Sequence, residues 1–379
     1  MDMNFSISAT PSLSLPESDP IIHGLLILAF LVHVLFINLV LGGTLITVMT
    51  DAIGIVTGRV YYRQLATTLA NWLPGFLGVA VVVGVLPLVL VQILYGSVFS
   101  TAASLLGEVW IVAGAALVLG YGGLYGYKQW RGSLAHRPGL QLAVGTLSSI
   151  MFLGVAFVFV LVSVLMLHPD QWAAIEHASL WSVLTLPSLI PRFGHLVLAS
   201  VAGMGMFLVC YGLFLASGGQ AMTDDKPKER YAIWVTRYGV AWTLAGTLPQ
   251  FVIGPWLFLS LPAVVRVDLV SGQSFGSLAF FVGLTAALLS LVLLNAALMA
   301  PHVRGLAIGG TLSLVVTVCL MVVVRHAVRV SWLSQHDDAA MLATQDQWTV
   351  MFMVGAMLLL GLAITVFIVR AYRTTRIVN

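Results

Sequence analysis

Three ionisable side chains fall inside or beside long apolar runs of this 379-residue chain: His33, Glu108 and His195. An ionisable group at bilayer depth is costly unless it is neutral, paired or bound to a metal. Imidazole nitrogen and carboxylate oxygen together suit iron and several other transition metals. Arg192 lies one turn before His195. An imidazole with a neighbouring guanidinium matches what a haem needs from a protein: an axial nitrogen at iron and a cation for a propionate, to which arginine pairs through two parallel hydrogen bonds.

Each of these residues has a plainer reading. After His195, the small residues Ala199, Ala202 and Gly203 recur at helical spacing, which leaves either a flat porphyrin groove or a seam for close helix packing. His33 has bulky Phe30, Phe36 and Ile37 around it, so a backbone-bonded core histidine is as consistent as a ligand. Gly107, Gly114 and Ala115 leave space around Glu108. Asn38 and Gln92 are neutral polar companions, and Asp51 reads as solvated at the inner end of its run. In "VMFMVGAM", Met351, Met353 and Met357 are ordinary filling for an apolar helix, although a thioether can also complete a His/Met haem site. Cys210 and Cys319 show no Cys-x-x-Cys-His spacing, which excludes covalently attached c-type haem and argues against an iron–sulfur cluster.

The elements that must position these groups are membrane helices. Hydrophobic residues make up 60% of the chain and charged residues 8%, far below the roughly 25% charge of a soluble domain. Nine apolar runs near or above the roughly 20 residues that cross a bilayer fall at about 21–50, 70–95, 103–127, 140–167, 191–217, 233–262, 277–299, 304–325 and 347–370. This predicts an all-α polytopic bundle of about nine transmembrane helices. Residues 1–20 form an outward segment, 21–371 one membrane domain and 372–379 a tail. Thirteen of the 17 Lys and Arg residues fall on one side, leaving Arg192, Arg266, Arg325 and Arg329 on the other. The positive-inside rule therefore places the N-terminus outside and the C-terminus in the cytoplasm, with His33, Glu108 and His195 in the outward half. No Lys or Arg occurs in the first twenty residues, so no signal peptide is expected. The basic charge is thus topological, and nucleic acid is not an expected partner.

In order along the chain, five segments resemble subunit I of cytochrome bd-type quinol oxidases. "LVHVLFINLVLGGTLITVMTD" is similar to the opening helix with its haem-ligating histidine, at His33. "GVLPLVLVQILYG" resembles the second helix, whose glutamate falls at Gln92. "LLGEVW" resembles the segment carrying a haem-ligating glutamate, at Glu108. "LPSLIPRFGHLVLASVAGMGMF" is similar to the segment with the low-spin haem histidine and its basic neighbour, at His195 and Arg192. "WTVMFMVGAMLLLGLAI" resembles the last helix, whose methionine completes the low-spin site, at Met353.

The departures carry as much weight. The outward connection "AVVRVDLVSGQSFG", residues 263–276, lacks the family's long quinol-binding loop and its Gly-Arg-Gln-Pro-Trp-like motif. Ala116 replaces a second glutamate, and Met351 replaces an arginine. The resemblance therefore implies an electron-transfer subunit of a bacterial or archaeal cytoplasmic-membrane complex. It would hold one to three haem b groups, with a modified haem at the His33/Glu108 site as one option. Arg192, joined by Arg325 or Arg329, would pair propionates. Lipid, a second membrane subunit and an outward redox protein such as a c-type cytochrome are the expected partners. A terminal oxygen reductase on the same ligands, and a haem-free transporter or structural subunit, are the alternatives.

Overall fold

The computed structural model describes residues 20–133, 136–177, 180–217, 226–300 and 304–335. The ninth apolar run, with Met351, Met353 and Met357, lies outside them, as do the tail and the N-terminal segment. Among the described residues the chain is helical throughout, without a strand. The helices are α1 (Pro20–Thr57), α2 (Val60–Ser104), α3 (Val109–Gln129), α4 (Pro138–Leu165), α5 (Trp172–His177), α6 (Leu189–Ser217), α7 (Lys226–Thr247), α8 (Gln250–Leu259), α9 (Ala263–Val270), α10 (Phe275–Met299) and α11 (Arg304–Leu333).

Seven of them, α1 to α4, α6, α10 and α11, are long and apolar enough to cross a membrane. The sixth expected span is broken: α7 ends at Thr247 and α8 begins at Gln250, because Pro249 has no N–H with which to continue the helical ladder. Outward-facing Ile111, Leu119, Phe214, Val252 and Val292 are all more than 60% exposed, a surface that only lipid or another apolar chain covers without cost. The protein is an all-α, multi-pass membrane bundle.

Several helices outrun their apolar cores. With 45 residues, α2 is about 68 Å long, against a hydrocarbon thickness of roughly 30 Å. It starts at Val60 rather than near 70 because Tyr61, Tyr62 and Arg63 suit the interface, so they prolong the helix after its hydropathy has ended. Before it, Gly58 takes the left-handed conformation that reverses the chain (φ 67°) and donates its N–H to Gly54 O at 3.1 Å. Farther along, Tyr95 departs from helical geometry (φ −134°, ψ 31°) and bends α2 toward its outward end.

Close backbone contact sets the centre of the bundle. Gly205 and Gly212 of α6 face Thr243 and Thr236 of α7, while Gly239 and Gly246 of α7 face Val209 and Ala202 of α6. On both helices the glycines stand seven residues apart, about two turns, so one stripe of each antiparallel helix is bare at matching heights. Gly42 of α1 presses on the Ser200 carbonyl from another side, and Ser200 Oγ donates to Asn38 Oδ1 at 3.0 Å. Outside this centre, 3-10 turns at Pro169–Gln171 and Leu180–Thr185 flank α5. Trp172, Ile175 and Val183 are buried there with Leu106, Leu165 and Leu189, which caps this end of the bundle.

Asp51, expected to be solvated, is 1% exposed. It accepts from Tyr127 Oη at 2.7 Å and from both terminal nitrogens of Arg131 at 3.1 and 2.8 Å. Gln141 Nε2 also donates to it. The first, third and fourth helices are thereby tied at the basic-loop end. Asp51→Ala is expected to cost roughly 2–4 kcal/mol of stability, because it strands a mostly buried guanidinium. Asp51→Asn, which keeps hydrogen-bonding capacity, should cost clearly less in the same detergent unfolding measurement.

Candidate functional site

His33 sits midway along α1, where its ring lies over Gly84 of α2. A Cβ at position 84 would come within 2.5 Å of Cε1 and 2.7 Å of Nδ1. His33 Nδ1 is 3.1 Å from Ala80 O. A carbonyl can only accept, so Nδ1 carries the proton and Nε2 presents its lone pair. This is the arrangement in which a histidine is held by one nitrogen and ligates with the other. It satisfies the backbone-bonded reading and leaves the ligand reading intact.

His195 is in the second turn of α6. Its Nδ1 is buried with no hydrogen-bond partner among the described residues, and so is Nε of Arg192 one turn before it. Unpaired buried polar atoms are rare and each asks for a partner. All eight residues from Arg192 to Ala199 keep partial accessibility, although α1, α4, α8 and α11 pack around this helix. The expected groove is shorter than the small-residue run: Gly246 closes on Ala202, and Asn38 lies against Gly203. Packing therefore takes Ala202 and Gly203, and only the turn from Arg192 to Ala199 stays open.

Arg325 and Arg329 lie in the C-terminal part of α11, which packs against α1 and α6. Arg325 lies over the Phe30 ring at 4.1 Å and Arg329 over the Tyr95 ring at 5.4 Å. α1, α6 and α11 pack on one another; through the Phe30 contact Arg325 stands one turn from His33 along α1, and Arg192 and His195 lie one turn apart on α6. Among the described residues the ion pairs are Arg131 with Asp51 and His168 with Asp170, so no described carboxylate neutralises the three cations.

Glu108 is placed differently from its expected position within a span. The chain turns at residues 105–108, where Gly107 has φ 39°, and Glu108 stands exposed just before α3. Leu106, two residues earlier, takes the buried position of this turn. Beyond Glu108, Ile111 and Val112 are 74% and 68% exposed. Gln92 is half-buried and its Oε1 has no partner among the described residues. Both cysteines are free thiols. No three His, Cys, Asp or Glu residues lie close enough together to cage a metal ion among the described residues; a porphyrin, which brings four nitrogens of its own, needs only one or two protein ligands.

Sequence reasoning missed His23 and His326. His23 Nδ1 and His326 Nε2 are 3.0 Å apart, joining the first turn of α1 to the C-terminal part of α11. The eighth apolar run appears to stop at 325 only because Arg325, His326 and Arg329 lower the hydropathy. The helix itself continues to Leu333, and the one-turn spacing of Arg325 and Arg329 is the signal that places both on one face.

No family model matches the sequence, and no curated protein does. Among solved structures, a chain of the bd oxidase from Geobacillus thermodenitrificans has the same fold: TM-score 0.65 at 12% identity, over 93% of this chain and 98% of that one. The likeness therefore extends over nearly the whole of both chains, and this protein has a bd-oxidase-like fold.

The packing of His33 on Gly84 is testable by a double-mutant cycle. Gly84→Ala should cost about 1–3 kcal/mol of stability by driving the ring off its carbonyl. In a His33→Ala background the same change should cost markedly less, since the group it strikes is gone. Thermal unfolding of the four variants measures the coupling.

Proposed function

We propose that this protein is a haem-binding electron-transfer subunit of a bd-oxidase-like respiratory complex, exchanging electrons with an outward redox protein such as a c-type cytochrome rather than with quinol. One observation carries the reading: α6 with Arg192 and His195, α11 with Arg325 and Arg329, and α1 with His33 pack on one another in an apolar bundle, with no described carboxylate paired to these arginines. Such a set of cations requires an anion. Haem propionates supply negative charge next to an iron that takes an imidazole ligand, and the unpartnered His195 Nδ1 and Arg192 Nε fit that demand.

His195 and Met353 are the proposed axial ligands of a low-spin haem b, with Arg192, Arg325 and Arg329 holding its propionates. His33, fixed through Nδ1 on Ala80, is assigned with Glu108 to a further haem, ordinary or modified. When bound, haem supplies a one-electron iron couple; the chain's own residues bind it, orient it and exclude water from it. A carboxylate on the otherwise apolar face of Glu108, Ile111 and Val112 is expensive against lipid, which supports a second membrane subunit covering that face. The short connection at α9, with Val265 and Leu269 buried on the bundle, supports a donor other than quinol. On this reading the chain lies in a bacterial or archaeal cytoplasmic membrane, and the Lys and Arg distribution supports the N-terminus outside and the C-terminus inside.

The deciding measurement is a pyridine haemochrome assay on purified protein, in which haem b is expected and its absence ends the proposal. If haem is present, His195→Ala should abolish the narrow reduced-state band. Met353→Leu should retain haem but alter its spin state or potential. Rapid cyanide-sensitive oxygen consumption, lost in Glu108→Ala, would instead assign oxygen reduction to the same ligands.

A further inference from the structure

A second pair of cations lies at the opposite end of the bundle, away from the haem region and independent of that reading. Arg237 of α7 and Arg304 at the start of α11 line a narrow crevice that is open to the surface. Its walls include Leu213 and Ala216 of α6, Ala297 of α10 and Ala307 of α11. Both arginines are exposed, and neither has a carboxylate within 4 Å among the described residues. The crevice opens where the α10–α11 hairpin meets the α6–α7 pair, and their shared apolar wall is buried just deeper, at Val209, Val240, Leu244 and Leu294.

We propose that this crevice binds an anionic phospholipid from the leaflet facing the basic loops, with its phosphate between Arg237 and Arg304 and an acyl chain along the alanine-lined walls. The argument is complementarity on two counts. Two arginines from different helices line one opening, which suits a phosphate's several acceptor oxygens. The rest of the lining is mostly apolar, Leu213, Ile233 and Val240 with three alanines and Thr236, so the occupant needs a hydrocarbon part as well as a charge. Membrane lipid has both, and basic pockets between transmembrane helices on this side of a bilayer are where such headgroups are held. Free phosphate would satisfy the arginines alone.

Native mass spectrometry of the full chain, with any subunit that copurifies, tests this after exchange into lipid-free detergent and addition of phosphatidylglycerol, phosphatidylcholine or inorganic phosphate. Phosphatidylglycerol should remain bound and raise the thermal midpoint, whereas phosphatidylcholine and phosphate should do neither. Arg237→Gln and Arg304→Gln should each weaken retention roughly fivefold. Ala216→Leu, which keeps both cations but fills the crevice, should also displace the lipid. Each variant should keep the unliganded thermal midpoint and any haem spectrum of the parent. Equal retention of the two lipids, an equal effect of phosphate, or undiminished phosphatidylglycerol binding in the double arginine variant would overturn the proposal.

Discussion

The position of α6 is the constraint on which the rest of the bundle depends. It is fixed by backbone meeting backbone rather than by interlocking large side chains. α7 reaches it through glycines at matching heights, and α1 reaches it where Gly42 meets the Ser200 carbonyl. In lipid no hydrophobic force draws helices together, so association rests on contact this close and on the few hydrogen bonds made across it. The Ser200 to Asn38 bond is one of these. With α6 fixed in depth and rotation, the side chains one to two turns above the contact, Ala199, His195 and Arg192, have fixed places as well.

A corresponding contact holds the other histidine. Gly84 gives the His33 ring a flat bed on α2, and Ala80 gives it a carbonyl. Both histidines therefore depend on glycine, in opposite senses. At His33 the missing side chain admits the imidazole itself. At His195 the glycines draw in neighbouring helices below it and leave the turn above accessible.

How much of this was legible in the sequence depended on range. Hydropathy locates the apolar runs, and the basic residues sort their ends, so the gathering of His33, His195, Arg192, Arg325 and Arg329 at one level follows from counting along spans. Hydropathy reads composition and is blind to the hydrogen-bond ladder, so it ended the eighth run at 325 and hid His326 within a helix that continues to Leu333. The pairing of His23 with His326 bridges 303 positions, and Asp51 finds Arg131 80 positions away; no local pattern announces either. Glu108 was misplaced for a subtler reason. Four residues of turn, with Gly107 in a left-handed conformation, fit between two apolar helices without interrupting the hydropathy that made 103–127 look continuous.

The two ends of the bundle treat charge unequally. At one, Asp51 neutralises Arg131 within a network of four side chains; at the other, Arg192, Arg325 and Arg329 have no described carboxylate partner. Fixed positive charge in surroundings of low polarisability lowers the free energy of any negative charge brought beside it. Any electron acceptor that the protein held beside these arginines would therefore be easier to reduce than the same group in neutral surroundings. Each propionate it paired would reduce that bias by one unit of charge, making the count of anions that settle among the arginines a control on driving force as well as on affinity.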